Sequence, residues 1–275
     1  MSKVWFITGT SKGFGRIWAE AALARGDRVA ATARDAATLA DLADRYGDLV
    51  LPMQLDVTDK AAVDAAVAQA HTHFGRLDVV VNNAGYGLFG TVEEVNEQQA
   101  RDQLETNLFG ALWVTKAALP ILREQGSGHI IQVSSIGGVN AFAGLGMYHA
   151  SKWALEAFSQ SLAAEVAGFG IKVTIVEPGG YSTDWAGPSA VKAEQLPAYQ
   201  KVWERRAAQR AAARPGDPEA TGPAILEIVD AAEPPLRVFF GDGPFEMIKA
   251  EYAKRIAEWE AWNDLSVRSH GGVTA

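Results

Sequence analysis

Short, almost wholly apolar runs alternate along this chain with longer stretches of helical spacing, and that alternation limits the fold more than any single motif. The run "KVWFIT" (3–8) is followed by a helical pattern to about Arg25, and "DRVAATA" (27–33) leads into "DAATLADLADRYG". "DLVLPMQLDV" (48–57) precedes an alanine-rich helical stretch, and "LDVVVNNAG" (77–85) precedes one from about Glu97 to Glu124. "GHIIQVSS" (128–135) leads to a helix near 147–168, and "IKVTIVEPG" (171–179) follows. A strand with one wet face alternates apolar and polar residues; these runs do not, so both faces must be covered, as in a parallel sheet. Strand–helix alternation of this regularity predicts a doubly wound α/β fold, a mostly parallel sheet with helices on both faces. Asp35, Asp59 and Asp217 before Pro218 read as helix N-caps, and Gly26, Gly47 and Gly75 as helix stops.

After Gly180 the rhythm changes. Residues 181–215 read as helical and carry Trp185, Trp203, several prolines and the cations Lys201, Arg205, Arg206, Arg210 and Arg214. Mixed with alanines at helical spacing, those cations read as a solvated helix face. "DPEATGPAILEIVD" predicts another helix, "PLRVFFG" a seventh strand, and "FEMIKAEYAKRIAEWEAWND" a long last helix with a frayed tail over 266–275. No linker or internal repeat divides the chain, so residues 1–275 are expected to form a single domain.

With 275 residues and no cysteine, the core must form without disulfides or thiolate chemistry, and a chain of this length can manage that. No apolar run reaches the ~18 residues of a membrane span and no signal segment is visible, so a cytoplasmic location is expected. The net charge of −8 argues against nucleic acid or an anionic membrane as partner. His71 and His73 diverge on a helix, and no metal site is expected.

In "VWFITGTSKGFG", Gly9, Gly13 and Gly15 stand between the first strand and the first helix, with a spacing that matches neither G-x-G-x-x-G nor G-x-x-x-x-G-K-[ST]. Glycines there permit positive φ and close approach of a phosphate to the helix N-terminus. Taken alone, the turn also fits a connection that holds nothing. After the second strand, where an acidic residue would read the ribose of NAD, stand Ala33 and Arg34. A guanidinium binds a 2′-phosphate and an alanine does not repel one, so NADP(H) is expected ahead of NAD(H), with Lys12 as a second cation. The competing reading makes Arg34 a surface cation and Asp35 both cap and ribose ligand.

Tyr148 and Lys152 stand four apart and share a helix face. An ammonium beside a phenol would lower its pKa toward useful acid–base chemistry. Ser135, just after the fifth strand, lies at the carboxyl end where the crevice of such a sheet opens. A lone Tyr-x-x-x-Lys arises often by chance. Here it joins the glycine turn, "NNAG", "NLFG", the serine thirteen residues earlier and "PG" after the sixth strand, all in order. Together these motifs resemble the short-chain dehydrogenase/reductase family over residues 3 to 185 and more loosely to about 262. The late stretch is similar to a bacterial branch labelled as resembling 17β-hydroxysteroid dehydrogenases.

The resemblance implies a Rossmann-type seven-stranded fold and an NAD(P)-dependent oxidoreductase. Tyr148 would be the acid/base, and Lys152 would lower its pKa and bind the nicotinamide ribose. Ser135 would hold the substrate oxygen, Ser134 would be structural, and Asn107 would anchor a water leading from Lys152 to solvent. Gly9, Ser11, Lys12, Gly13, Phe14 and Gly15 would wrap the pyrophosphate. Asp56 and Val57 would meet adenine, Asn83, Ala84 and Gly85 the adenosine ribose, and Pro178, Gly179 and Thr183 the nicotinamide end. Val139, Asn140, Phe142, Leu145, Tyr181 and Trp185 would wall the pocket, with 181–215 as its lid. Their apolar character suggests a hydrophobic or aromatic ketone, aldehyde or secondary alcohol as the small-molecule substrate. His149 is expected to pack or face solvent rather than touch substrate. The family also suggests a homodimer or homotetramer built on helices 97–124 and 147–168. Two alternatives stand beside this: a non-catalytic NADP(H)-binding sensor or scaffold, and a 3-oxoacyl-carrier-protein reductase, whose anionic substrate would employ the late arginines.

Overall fold

A computed structural model describes residues 2–187 and 189–271. Its strands are β1 (Val4–Ile7), β2 (Arg28–Ala33), β3 (Val50–Gln54), β4 (Val79–Asn82), β5 (Leu88–Phe89), β6 (Gly128–Val133), β7 (Ile171–Pro178), β8 (Val191–Lys192) and β9 (Arg237–Phe240). The helices are α1 (Gly13–Ala24), α2 (Ala40–Tyr46), α3 (Lys60–Phe74), α4 (Glu97–Leu104), α5 (Gly110–Gln125), α6 (Gly146–Val166), α7 (Gln200–Ala212), α8 (Thr221–Asp230), α9 (Pro244–Ala261) and α10 (Asn263–Ser269). Seven strands form one sheet in the order β3-β2-β1-β4-β6-β7-β9, and every pairing is parallel.

Successive side chains of β1 show why the strands read as unbroken apolar runs. Trp5 and Ile7 enter one core with Trp18, Leu23 and Ile225, while Val4 and Phe6 enter the other with Val114, Leu122 and Leu162. All four β1 residues are fully buried. The caps act as the sequence predicts: Asp35 accepts from the Ala37 amide, Asp59 from Ala62 and Asp217 from Glu219. Strand order reverses between β1 and β4, and in such sheets a crevice opens beyond the strand ends at that point. The glycine turn follows β1 and "NNAG" follows β4, so both border it.

Two expectations need correction. Among the described residues of 181–215, only α7 and short 3₁₀ turns at 184–186 and 197–199 are helical. The remainder includes β8, which pairs with β5 in a small parallel sheet; two-residue strands are too short to show a period. The tail is also more ordered than expected, because α10 extends to Ser269; residues 272–275 lie outside the described residues.

Candidate active site

Gly9 and Gly13 adopt φ of +70° and +60°, values that L-residues with a Cβ rarely take. Gly15 has a different constraint: a Cβ there would come within 2.4 Å of both the Asn83 Nδ2 and the Gly9 carbonyl oxygen. The Asn83 amide donates to the carbonyls of Thr8 and Gly9, both at 2.9 Å. Thr8 Oγ1 in turn accepts from the backbone amides of Asn83 and Ala84 at 3.0 Å. The two loops bordering the crevice are thus stitched together, and Asn83 spends its side chain on the glycine turn. Among the described residues no side chain caps the N-terminus of α1, so its first amides stay available to an anion.

Around this turn, Ser11 and Lys12 are exposed and Phe14 stacks on Trp18. Lys12 lies 3.3 Å from Asp184, an exposed pair that joins the turn to the 184–186 segment. Ala33 is buried at the end of β2 and Arg34 is exposed with no ion pair among the described residues. Asp56 binds Thr58 through its amide and hydroxyl, and Val57 packs against Gly110. Gly179 donates to the Phe240 carbonyl, and Thr183 caps the 184–186 turn.

Tyr148 and Lys152 occupy the inner face of α6, 5% and 6% exposed. Lys152 Nζ donates to the Val133 carbonyl at the end of β6 at 2.7 Å. Ser135 begins the next turn, its Oγ accepting from Gly137. Between α4 and α5 the helix widens into one π-turn, Glu105–Phe109, which carries Asn107. The Asn107 side chain accepts from the Tyr86 amide and donates to the Tyr86 carbonyl and Ser151 Oγ. A Cβ on Gly85 would lie 3.0 Å from Asn107 Oδ1 and 3.7 Å from Lys152 Nζ, so both groups converge beside the loop after β4.

Burial governs the ionisation of this cluster. It pushes the Tyr148 phenol up to about 12, against a hydrogen bond from the Ser135 side that favours phenolate. It brings the Lys152 ammonium down to about 8, opposed by the charge of Glu156. In this structure desolvation of the phenolate is the largest influence on Tyr148, and it acts opposite to the lowering expected from Lys152. His149 is buried and packs edge-on against Phe142, as expected; burial first, then Arg206, lowers it to about 4.

The pocket residues fall into two groups. Val139 and Leu145 are buried, and Phe142 and Asn140 border the same loop. The Trp185 ring stands 4.9 Å from Tyr148 and 5.4 Å from Phe89, roofing the tyrosine. Tyr181 instead packs edge-on against Phe14 and over Gly216. The solvated-face expectation for α7 fails at Arg206, which is half-buried over Phe89 and donates to the Ala143 carbonyl. Arg210 donates to Ala186, while Lys201, Arg205 and Arg214 are exposed.

The short-chain dehydrogenase family model matches residues 3–193, more than half of the chain. The chain belongs to the short-chain dehydrogenase family. This short-chain dehydrogenase is 44% identical to the oxidoreductase BOA17 of Botryotinia fuckeliana, over 98% of this chain and 100% of that one. A short-chain dehydrogenase from Streptomyces avermitilis superposes with a TM-score of 0.92 at 41% identity, covering 98% of both chains. An alcohol dehydrogenase from Thermococcus sibiricus, solved with 5-hydroxy-NADP, gives a TM-score of 0.74 at 25% identity over 87% of this chain and 96% of its own. The match makes this chain an oxidoreductase, and neighbours carrying nicotinamide dinucleotides support a cofactor of that type.

One residue of this short-chain dehydrogenase had no signal in the sequence. Glu94 is buried and accepts from Thr91, Leu196 and Trp203 Nε1 at 2.8, 2.9 and 3.0 Å. It fastens the segment leading into α7 to the loop after β5. Its nearest hint, a glutamate pair in "TVEEVN", looks like any exposed charge.

Proposed function

We propose that this protein is an NADP(H)-dependent oxidoreductase acting on the carbonyl or secondary alcohol of a hydrophobic or aromatic small molecule, with Tyr148 as acid/base. The observation that carries the proposal is the convergence of a buried phenol, a buried ammonium and a serine hydroxyl at one end of β6 and α6. The residues around the crevice fit the cofactor: α1 has an uncapped N-terminus, and Gly9, Gly13 and Gly15 keep side chains out of the turn. Gly9, Ser11, Gly13, Phe14 and Gly15 would hold the pyrophosphate, with Arg34 and Lys12 on the 2′-phosphate. Asp56, Val57, Asn83, Ala84 and Gly85 would hold the adenosine, and Pro178, Gly179 and Thr183 the nicotinamide end. When bound, the nicotinamide supplies or accepts the hydride.

The chain's own residues handle the oxygen. Ser135 Oγ and the Tyr148 hydroxyl donate hydrogen bonds to the substrate oxygen as charge gathers on it, and their fixed positions spare reorganisation. Tyr148 passes its proton to that oxygen in reduction and recovers it in oxidation. Lys152, held by the Val133 carbonyl, keeps a positive charge beside the phenol and favours the phenolate. Asn107 holds the loop at Tyr86 in register with Lys152. Trp185, Phe142, Val139 and Leu145 keep water from the reacting atoms, and their apolar surface supports a hydrophobic substrate.

A panel of ketones, aldehydes, steroids and sugars, read by loss of NADPH absorbance, tests the proposal. Turnover of apolar carbonyl compounds with NADPH is the expected result. Dinucleotide binding with no turnover of any carbonyl compound would favour a sensor or scaffold instead.

A further inference from the structure

One turn beyond Lys152 on α6 lies Glu156, its side chain 7% exposed, facing Glu177 on β7, 1% exposed. A single guanidinium serves both. Arg237 Nε on β9 is 3.0 Å from Glu156 Oε2 and 3.6 Å from Glu177 Oε1, and Arg237 also donates to Gln160 at 2.9 Å. Among the described residues, Glu156 Oε1 and Glu177 Oε1 have no hydrogen-bond partner. From the end of β6, Ser134 Oγ lies beside Glu156, near the point where a Cβ on Gly138 would stand 2.4 Å from the serine and 3.1 Å from Glu156 Oε1. Lys152 and Arg237 are thus the cations, and Ser134 and Gln160 the neutral polar groups, that these elements turn toward the pair.

Two buried carboxylates in contact with one cation do not both ionise at neutral pH, because the second charge has no counter-ion and little water. Burial raises both groups, and Glu156 raises Glu177 further.

We propose that Glu156 and Glu177 share one proton and release it as pH rises, so that the charge left behind keeps Lys152 protonated beside Tyr148. The pair is a positioning element: it acts on Tyr148 through Lys152 and rests on the assignment of those two residues made above. The charges balance. With the proton, the pair carries −1 against Arg237 and is locally neutral. Without it, the pair carries −2, and the net −1 around Arg237 opposes loss of the Lys152 proton. With Glu156→Gln, Glu177 ionises against Arg237, the sum stays at zero, and no such support appears at alkaline pH.

The experiment is the pH profile of kcat/KM for carbonyl reduction in wild type, Glu156→Gln and Glu177→Gln, with infrared difference spectra of the same proteins without substrate. In either variant the alkaline limb should move to lower pH by about one unit, with the acid side unmoved. The protonated-carboxyl C=O stretch present in wild type at pH 7 should be missing from each variant. An active variant whose alkaline limb stays in place, or an acid band that persists in both, overturns the proposal. If Tyr148→Phe reduces carbonyls at the wild-type rate, the fault lies with the site assignment and not with the carboxyl pair.

Discussion

Arg34 projects into solvent immediately after the buried Ala33, at the end of the strand that borders the cofactor crevice. A phosphate there would gain a charge-assisted pair, whereas a ribose hydroxyl gains little from a guanidinium. Arg34→Asp should therefore weaken NADPH binding at least tenfold more than NADH binding, measured by quenching of tryptophan fluorescence; equal losses would remove the phosphate assignment. Lys12 should contribute less to any such phosphate binding, because its exposed pairing with Asp184 must be given up first. The same scale explains the tyrosine. Pushed up to about 12, Tyr148 is a neutral phenol across the physiological range, the form the proposed proton transfer to a carbonyl requires. Lys152, at about 8, loses its charge as pH rises past that value. Carbonyl reduction should therefore hold through neutral pH and decline above about pH 8, and a rate that keeps climbing there would contradict the assigned roles.

Among the elements, the segment between β7 and α8 supplies Trp185, whose ring stands over Tyr148. It has little regular structure before α7, and a few long-range polar contacts hold it: Glu94 to Leu196 and Trp203, Arg206 to Ala143, and Arg210 to Ala186. Glu94 is the centre of that attachment. Despite its burial, donors from Trp203, Thr91 and Leu196 hold its carboxyl below the usual range. A carboxyl depressed on docking stabilises the docked segment above its ordinary pKa, and that stabilisation is lost as pH falls through the lowered value. Glu94→Ala should raise KM several-fold with a smaller effect on kcat, and should speed proteolysis within residues 190–214. An unchanged KM together with unchanged proteolysis would show that the carboxylate does not anchor the segment.

For the whole molecule, the parallel sheet and the crevice at its point of reversal bring together residues as distant as Gly85 and Lys152. A bound dinucleotide should stabilise the fold by mass action. At a hundredfold excess over Kd this amounts to about 2.7 kcal/mol, or a rise in Tm of roughly 5 °C. At equal concentrations of the two dinucleotides NADPH should give the larger shift, measured by calorimetry, and a larger shift with NADH would reverse the cofactor assignment. The sheet was legible in the sequence because burial on both faces forces unbroken apolar runs such as "VWFI", and because caps such as Asp59 mark helix starts. Tyr148, Lys152 and Ser135 were legible because one helix and one strand end fix their spacing. What escaped depends on contacts distant in sequence: Glu94 meets Trp203 109 positions away, and Arg237 meets Glu156 81 positions away. No local period records such pairs. Nor could the burial that raises Tyr148 be read from its spacing.

Substituting Tyr148 by phenylalanine removes one hydroxyl from the buried face of α6 and leaves the glycine turn untouched. Dinucleotide affinity and carbonyl reduction should be measured side by side on wild type and Tyr148→Phe. Binding should stay within about threefold while kcat/KM falls by about 10² to 10⁴. Near-normal turnover by the phenylalanine variant would contradict proton transfer through this tyrosine.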